Sequence, residues 1–419
     1  MKILDLIHIS FYGIKTHKLR SILTTLGIII GVGTVISMIS IIEGINGFVY
    51  KQFGTIGSNV IYIQKYKWRA VIGSMDRNWL KKVKDYPDFN EEDVKEIKKL
   101  YFVDNVSISI DLLNISKVEY KNKTLENVEL TGATPEIFEI LGYEVERGRK
   151  LNEDDEFYRR NVCVVGKYVV SNLFEYEDPL DKEIKIGDRN FLIVGILKER
   201  GEIFGYSLDR IIIIPFSKGK EMKGIPIFDW QEVFIAPVIE VKIKDNIEIE
   251  KGIEELRKFL RKRRALFFTD EDNFYFNTQE SLLQIYRSIT GGIFAAMIGI
   301  ASLALIVGGI GIMNIMLVSV SERTKEIGIR MAVGARRRDI LYQFLLETIL
   351  LTSIGSFLGL LLGIVIGKLV DILTPLPSRI PLWSIFIALL LSFVVGLFFG
   401  IYPATQAAKK DPIECLRYE

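Results

Sequence analysis

Four stretches of the chain carry no charge: residues 21–42, 288–321, 348–367 and 380–408. A helix needs about 20 mostly apolar residues to cross the hydrocarbon core of a bilayer, and every stretch reaches that length. Backbone groups find no water there, so spanning helices are the economical reading. The pattern predicts an α-helical membrane protein with four transmembrane helices, at 21–42, 288–320, 341–367 and 381–402. A large mixed α/β extracytoplasmic domain, 43–287, is expected between helices 1 and 2. Residues 1–20 read as an amphipathic N-terminal segment, 321–340 as a charged connector, 368–380 as a short loop and 403–419 as a tail.

Within the central segment the hydrophobic period changes repeatedly. Val60, Tyr62 and Gln64 alternate with Ile61 and Ile63, as in a strand. Two strand-like runs flank Gly187-Asp188, which predicts a hairpin. Ile211, Ile212, Ile213 and Ile214 form a run that reads as a buried strand. Residues 238–244 alternate again, and Ile249, Ile253, Leu256 and Leu260 then follow helical spacing. The basic cluster Arg261-Lys262-Arg263-Arg264 at the end of that helix complements the negative helix C-terminus. It resembles a nucleic-acid patch only superficially. Basic and acidic side chains nearly balance over the chain, 54 against 52, which leaves no electrostatic footprint for nucleic acid.

Basic residues near the helix ends set the expected orientation. Lys2, Lys15, Lys18 and Arg20 precede helix 1; Arg323, Lys325, Arg330, Arg336, Arg337 and Arg338 lie between helices 2 and 3; Lys409, Lys410 and Arg417 follow helix 4. The loop between helices 3 and 4 has only Lys368 and Arg379. This bias places both termini and the 321–340 connector in the cytoplasm, with the large domain outside a multi-pass cell-membrane protein. The first apolar run is too long for a cleaved signal peptide and lacks a small-x-small site before Glu43, so it reads as an anchor.

Glycine spacing adds a packing signal. Gly355, Gly359, Gly363 and Gly367 recur every four residues, Gly27 and Gly31 repeat the interval in helix 1, and Gly308 and Gly309 crowd helix 2. Glycine is frequent in membrane helices in any case, but four in register favour close helix–helix approach. No ionisable side chain lies deep in a span; Glu347, near the start of helix 3, comes closest. Secondary transporters, channels and intramembrane proteases need such groups and are disfavoured.

Catalytic chemistry is not visible. Gly363-Ile-Val-Ile-Gly367-Lys368 is one residue short of a Walker A loop and lies within a span. No nucleophile–base pair or metal-ligand cluster stands out, so neither catalytic nor metal-binding residues are expected. Cys163 and Cys415 fall on opposite sides of the membrane and cannot pair within one chain.

The connector carries the strongest motif. In Ser321-Glu-Arg-Thr-Lys-Glu-Ile-Gly-Ile-Arg-Met-Ala-Val-Gly-Ala-Arg336, Glu326 and Arg330 stand at i,i+4 in the favourable order, and Gly334-Ala335 offers a break. By itself this reads either as a solvated positive connector or as a short helix able to pass force from a soluble partner. The stretch resembles the S-x-x-E-R-x-x-E-I-G-I-R-x-A-x-G-A signature of the MacB/FtsX-type ABC transporter permeases. Arg20-Ser21 through Leu26-Gly27-Ile28 and Gly31-Val32 resembles that family's run into helix 1. Tyr402-Pro403-Ala404 with Asp411-Pro412-Ile413-Glu414 resembles its ending, and Gly142-Tyr143, Arg147-Gly148-Arg149 and Asp178-Pro179 resemble its outer core domain.

That resemblance implies a stand-alone permease subunit that has no motor of its own and is not itself an enzyme. ATP and Mg would be held by a separate ABC ATPase subunit rather than by this chain. Glu322, Arg323, Glu326, Gly328, Arg330 and Gly334 would form the ATPase-coupling helix, and a permease dimer in membrane lipid would pack through 19–28 and 300–316. The outer domain would comprise a proximal α/β part, about 60–105 with 231–284, and an inserted β-rich part, about 106–220. An extracytoplasmic adaptor is a further partner on this reading. The implied function is coupling of ATP hydrolysis to outer-domain motion, for export or extraction of a substrate. The alternative is an FtsX-like signalling module that controls an external partner.

Overall fold

The computed structural model describes residues 18–53, 59–68, 77–112, 117–175, 177–203, 206–223, 233–374 and 376–417. Most of the expected N-terminal segment, residues 1–17, lies outside them. The chain divides into two compact units, Met1–Tyr50 with Ser288–Glu419, and Lys51–Arg287.

Helix α1 spans Lys18–Phe53 and is followed by β1 (Val60–Gln64), α2 (Arg77–Lys84), α3 (Glu91–Lys98) and β2 (Val103–Asp111). Next come β3 (Val118–Tyr120), β4 (Lys123–Leu125), β5 (Glu129–Ala133), α4 (Ile137–Ile140), β6 (Val145–Gly148) and α5 (Glu153–Phe157). The domain continues with β7 (Val162–Val165), α6 (Lys167–Leu173), β8 (Glu183–Ile186), β9 (Arg189–Leu197), β10 (Glu202–Ile203) and β11 (Tyr206–Ser207). It closes with β12 (Ile211–Pro215), α7 (Phe216–Met222), β13 (Val238–Ile243), α8 (Ile249–Arg263) and β14 (Tyr275–Thr278).

Among the described residues twelve strands join in one sheet, ordered β14-β1-β13-β2-β5-β12-β7-β9-β8-β3-β4 with β6 on β9, while β10 and β11 pair separately. The sheet runs without interruption through the stretches expected as proximal and inserted parts. Register explains its two faces. Ile61, Val241 and Val106 form one cross-strand row, and Ile63, Ile239 and Ile108 another. All six are fully buried and join Ile97 of α3 with Leu256 and Leu260 of α8 in the main core. On the opposite face the adjoining row is Tyr62, Glu240 and Ser107, so period-2 alternation separates apolar from polar positions.

The hairpin, the isoleucine-rich strand and the helix expected between residues 183 and 264 are present. β8 and β9 form the hairpin, with Gly187 at φ +58°, the glycine position of a type II′ turn. β12 is buried at every position because it lies between β5, parallel, and β7, antiparallel. The basic end of α8 has more specific partners than the helix terminus alone. Arg261 reaches Asp272, Arg263 reaches Asp93, and Arg264 bonds Asn273 while lying over Phe89.

The other unit continues the helices: α9 (Gln279–Glu322), α10 (Thr324–Ala332), α11 (Arg337–Leu373), α12 (Leu382–Lys409) and α13 (Pro412–Arg417). Among the described residues four helices are long and apolar enough to cross a membrane: Thr25–Tyr50, Gln279–Glu322, Arg337–Leu373 and Leu382–Lys409. At about 1.5 Å per residue, the 44 residues of α9 exceed a hydrocarbon core about 30 Å thick.

Glycines sit where these helices meet. A Cβ on Gly355 would touch Ile28, and on Gly367 would touch Ser40, while Gly359 and Gly363 lie against the intervening turns of α1. Gly31 abuts Leu305, and Gly309 lies under the Phe399 ring. Small residues let the backbones close up where lipid supplies no hydrophobic drive.

Candidate functional site

α10 is a nine-residue helix set off by a one-residue break at Arg323 and a turn at Gly334. Arg323 leaves helical geometry at φ −96°, ψ 15°, and the Thr324 hydroxyl donates to the carbonyls of Val320 and Ser321 at 3.1 and 2.8 Å. The other end closes on Gly334 at φ +107°. The Gly334 N–H donates to Met331 O and the Ala335 N–H to Arg330 O, at 3.1 and 3.0 Å. That is the bonding of a Schellman motif, which needs a left-handed residue. The Arg336 N–H then donates to Asp339 Oδ2 at 3.0 Å, which satisfies one open donor at the start of α11.

One face of α10 is buried. Thr324, Ile327 and Gly328 point into the unit, and Ile327 joins Phe344 and Ile340 of α11 in its core. Two guanidinium groups flank this apolar contact. Arg323 Nη1 donates to both oxygens of Glu347 at 3.3 and 3.4 Å, and Arg330 Nη1 donates to Gln343 Oε1 at 3.2 Å. Glu347 and Gln343 are 4% and 1% exposed. Arg330 also meets Glu326 at 3.5 Å across one helical turn.

The opposite face is open. Glu322, Lys325, Glu326, Ile329, Ala332, Val333 and Gly334 are exposed, with Ile329 at 49% and Val333 at 85%. α13 packs against α10; Asp411 precedes its first residue, and its carboxylate accepts the Ile413 N–H at 2.8 Å.

The structure thus divides the six connector residues expected to act together. Glu322, Glu326 and Gly334 are exposed, Arg323 and Arg330 turn toward α11, and Gly328 is buried. Glu347 and Gln343 as partners, and the exposed pair Ile329 and Val333, were not anticipated. A usable signal existed: Gln343 and Glu347 stand one turn apart at the root of an apolar span, opposite two arginines two turns apart.

Hollows among the described residues lie elsewhere. One, of about 400 Å³, is lined by apolar side chains of α1, α9 and α12, including Met38, Met297 and Trp383. Another, of about 270 Å³, lies in the outer unit beside Glu144, Lys198, Glu199 and Arg200. Among the described residues no group of three His, Cys, Asp or Glu side chains is placed to hold a metal ion.

Four spanning helices, a mixed α/β domain between the first and second, and a braced helical connector define a multi-pass membrane protein with an extracytoplasmic domain. Residues 21–259 match the MacB-like periplasmic core domain, and residues 298–412 match the FtsX-like permease C-terminal region. The chain belongs to the MacB/FtsX-type ABC transporter permease family.

It is 33% identical over 409 residues to the macrolide export ATP-binding/permease protein MacB of Neisseria meningitidis, covering 97% of this chain and 60% of that protein. It is 33% identical over 429 residues to an ABC transporter permease of Methanocaldococcus jannaschii, covering 100% of this chain and 99% of that one. The crystal structure of the periplasmic region of MacB from Actinobacillus actinomycetemcomitans is similar at 17% identity and a TM-score of 0.44, covering 57% of this chain and 98% of that one. The chain therefore spans about three-fifths of the length of the MacB proteins it matches.

Proposed function

We propose that this permease is the membrane subunit of an ATP-driven system whose nucleotide-binding subunit is a separate chain. ATP and Mg are held on that subunit, and it docks on the exposed face of α10. Its cycle drives movement of the outer domain, which exports or extracts a substrate. Residues 321–340 form the cytoplasmic coupling element, both termini are cytoplasmic, and 368–380 is the outer loop. Two permease chains pack side by side in the bilayer, and an extracytoplasmic adaptor completes the assembly.

The observation that carries this reading is the split character of α10. A helix that served only as a solvated connector has no need of a buried ion pair and a buried isoleucine on one side. Braced inward by Arg323 and Ile327, α10 and the residues at its two ends still offer Glu322, Glu326, Ile329 and Val333 outward. Such an element can receive force. The MacB relatives' names join ATP binding to a permease, which supports the same partner class.

The test is capture of the ATPase subunit from the protein's own source by the full chain in detergent. Glu326→Ala, which removes an exposed charge, is expected to weaken capture about ten-fold. Absence of capture both with and without ATP would overturn the reading.

A further inference from the structure

We propose that Glu347 is a positioning residue: paired with Arg323 at the root of α11, it fixes the angle at which α10 stands against the membrane helices. The proposal rests on α10 being the coupling element.

A helix of nine residues has little stability of its own, and α10 is broken from its neighbours at both ends, at Arg323 and Gly334. Its orientation must come from tertiary contacts. The apolar contact of Ile327 is non-directional and would tolerate rotation of α10 about its axis. The two polar contacts would not. Arg323 and Arg330 lie seven residues apart on one face, and their acceptors, Glu347 and Gln343, lie four apart on α11. Two anchors at separated points define both tilt and rotation.

Of the two, the Glu347 anchor is the stronger. In this pair both partners are ionised, so Coulomb attraction adds to the hydrogen bond, whereas Gln343 offers only a neutral amide oxygen; here one guanidinium nitrogen also addresses both carboxylate oxygens. The side chains are 5% and 19% exposed for Glu347 and Arg323, so water does little to replace either partner. A carboxylate buried this far is retained only with its cation in place. The Gln343 amide nitrogen, by contrast, is buried without a hydrogen-bond partner among the described residues, which marks the second anchor as incompletely satisfied. α10 therefore pivots about Gln343 once Glu347 loses its charge.

The consequence is a separation between docking and coupling. Glu322, Glu326, Ile329 and Val333 face away from Glu347, so the surface offered to an ATPase survives when the pair is broken. Transmission into α11 does not.

The experiment uses the full chain in nanodiscs with its ATPase subunit, comparing wild type, Glu347→Gln and Glu347→Asp. For Glu347→Gln, capture should stay within about three-fold of wild type while permease-dependent ATP turnover falls about ten-fold. Glu347→Asp, which keeps the charge, should recover most of that loss. Turnover of Glu347→Gln within about two-fold of wild type would overturn the proposal. So would an aspartate variant as defective as the glutamine one, since that marks a packing fault.

A second measurement needs no ATPase. Spin labels at Lys325 and Tyr342, both exposed, should give one narrow distance distribution in wild type and a broad one in Glu347→Gln. The native Cys163 and Cys415 are buried and stay unlabelled. Equally narrow distributions would overturn the assignment. Should wild type capture no ATPase, the coupling reading falls by itself, and the distance distributions still decide the role of Glu347.

Discussion

Gly27 of α1 and Gly308 of α9 stand backbone to backbone: a Cβ on Gly27 would lie 2.6 Å from the Gly308 Cα. That separation is shorter than any side chain tolerates, and the obstacle is backbone rather than a flexible tip. Gly311, one turn further along α9, has nothing among the described residues within 4 Å of its added Cβ. Alanine raises helix propensity equally at 308 and 311, so any difference between the two substitutions is steric. Gly308→Ala should lower the thermal unfolding midpoint of the detergent-solubilised chain, by about 1–3 kcal/mol in stability. Gly311→Ala should leave it unchanged or slightly raised. Equal midpoints for the two variants would mean that α1 and α9 do not meet at this pair.

Glu240 gives the outer domain a pH dependence of unusual sign. Its carboxylate accepts hydrogen bonds from Ser107, at 2.7 Å, and Ser109. Burial pushes its pKa up to about 8, with the Asp111 charge adding to the effect and the two serines opposing it. Tyr62 sits opposite on β1, and Arg200 interacts with that phenol. A carboxyl whose folded pKa lies above its unfolded value of 4.5 stabilises fully below about pH 4.5. That contribution is lost as pH rises through about 8. One pH unit corresponds to about 1.4 kcal/mol, so the penalty at alkaline pH is on the order of 5 kcal/mol. Glu240→Gln should flatten the fall in unfolding midpoint between pH 5 and 9, about the range over which a glutamate so perturbed titrates. An unchanged slope in the variant would show that Glu240 is not the titrating group.

Asp155 should act in the opposite direction. Burial alone would raise its pKa, but the Arg149 hydrogen bond, the Asn152 N–H and the charges of Arg149 and Arg160 outweigh it and hold the carboxyl below its ordinary value. Its contribution is present above the unfolded pKa and is lost as pH falls through the folded one. The same carboxylate closes a capping box with Asn152 at the start of α5. Asp155→Asn should cost about 1–2 kcal/mol at neutral pH, with the deficit vanishing in acid. A deficit that persists at low pH would place the loss in packing instead of charge.

How far sequence carried the structure depended on whether the controlling interaction was local. The spans were legible because lipid forbids charge over a fixed length, whatever the neighbours. The Gly187-Asp188 hairpin was legible because its turn chemistry is contained in two residues. Sheet order was not. β5 and β12 pair in parallel although α4, α5 and α6 intervene, and no local pattern selects β12 over another isoleucine-rich strand. The connector shows the same limit within a single motif. Glu326 and Arg330 announce a helical turn, and that turn exists. The second contact of Arg330, to Gln343, depends on where Gly334 reverses the chain, which spacing alone does not state.

The outward face of α10 supports the last prediction. Ile329 and Val333 lie one turn apart, each exposed, and Ile413 of the neighbouring α13 is 76% exposed. Isolated exposed apolar residues need no explanation, but these two flank Glu326 and Lys325 on the face left open by the inward contacts. Val333 is almost fully solvated and Ile329 about half so, so Val333→Asp should leave the stability within about 0.5 kcal/mol of wild type and Ile329→Asp within about 1 kcal/mol. An apolar anchor at the centre of a docking surface is worth more than the charges at its rim. Each aspartate should therefore weaken ATPase capture by more than Glu326→Ala does, and mainly through faster dissociation. Measured by surface-immobilised full-length permease, a Val333→Asp variant with wild-type dissociation would move the contact to the charged residues Glu322 and Glu326. Loss of stability together with capture would instead place Val333 inside the fold of the connector.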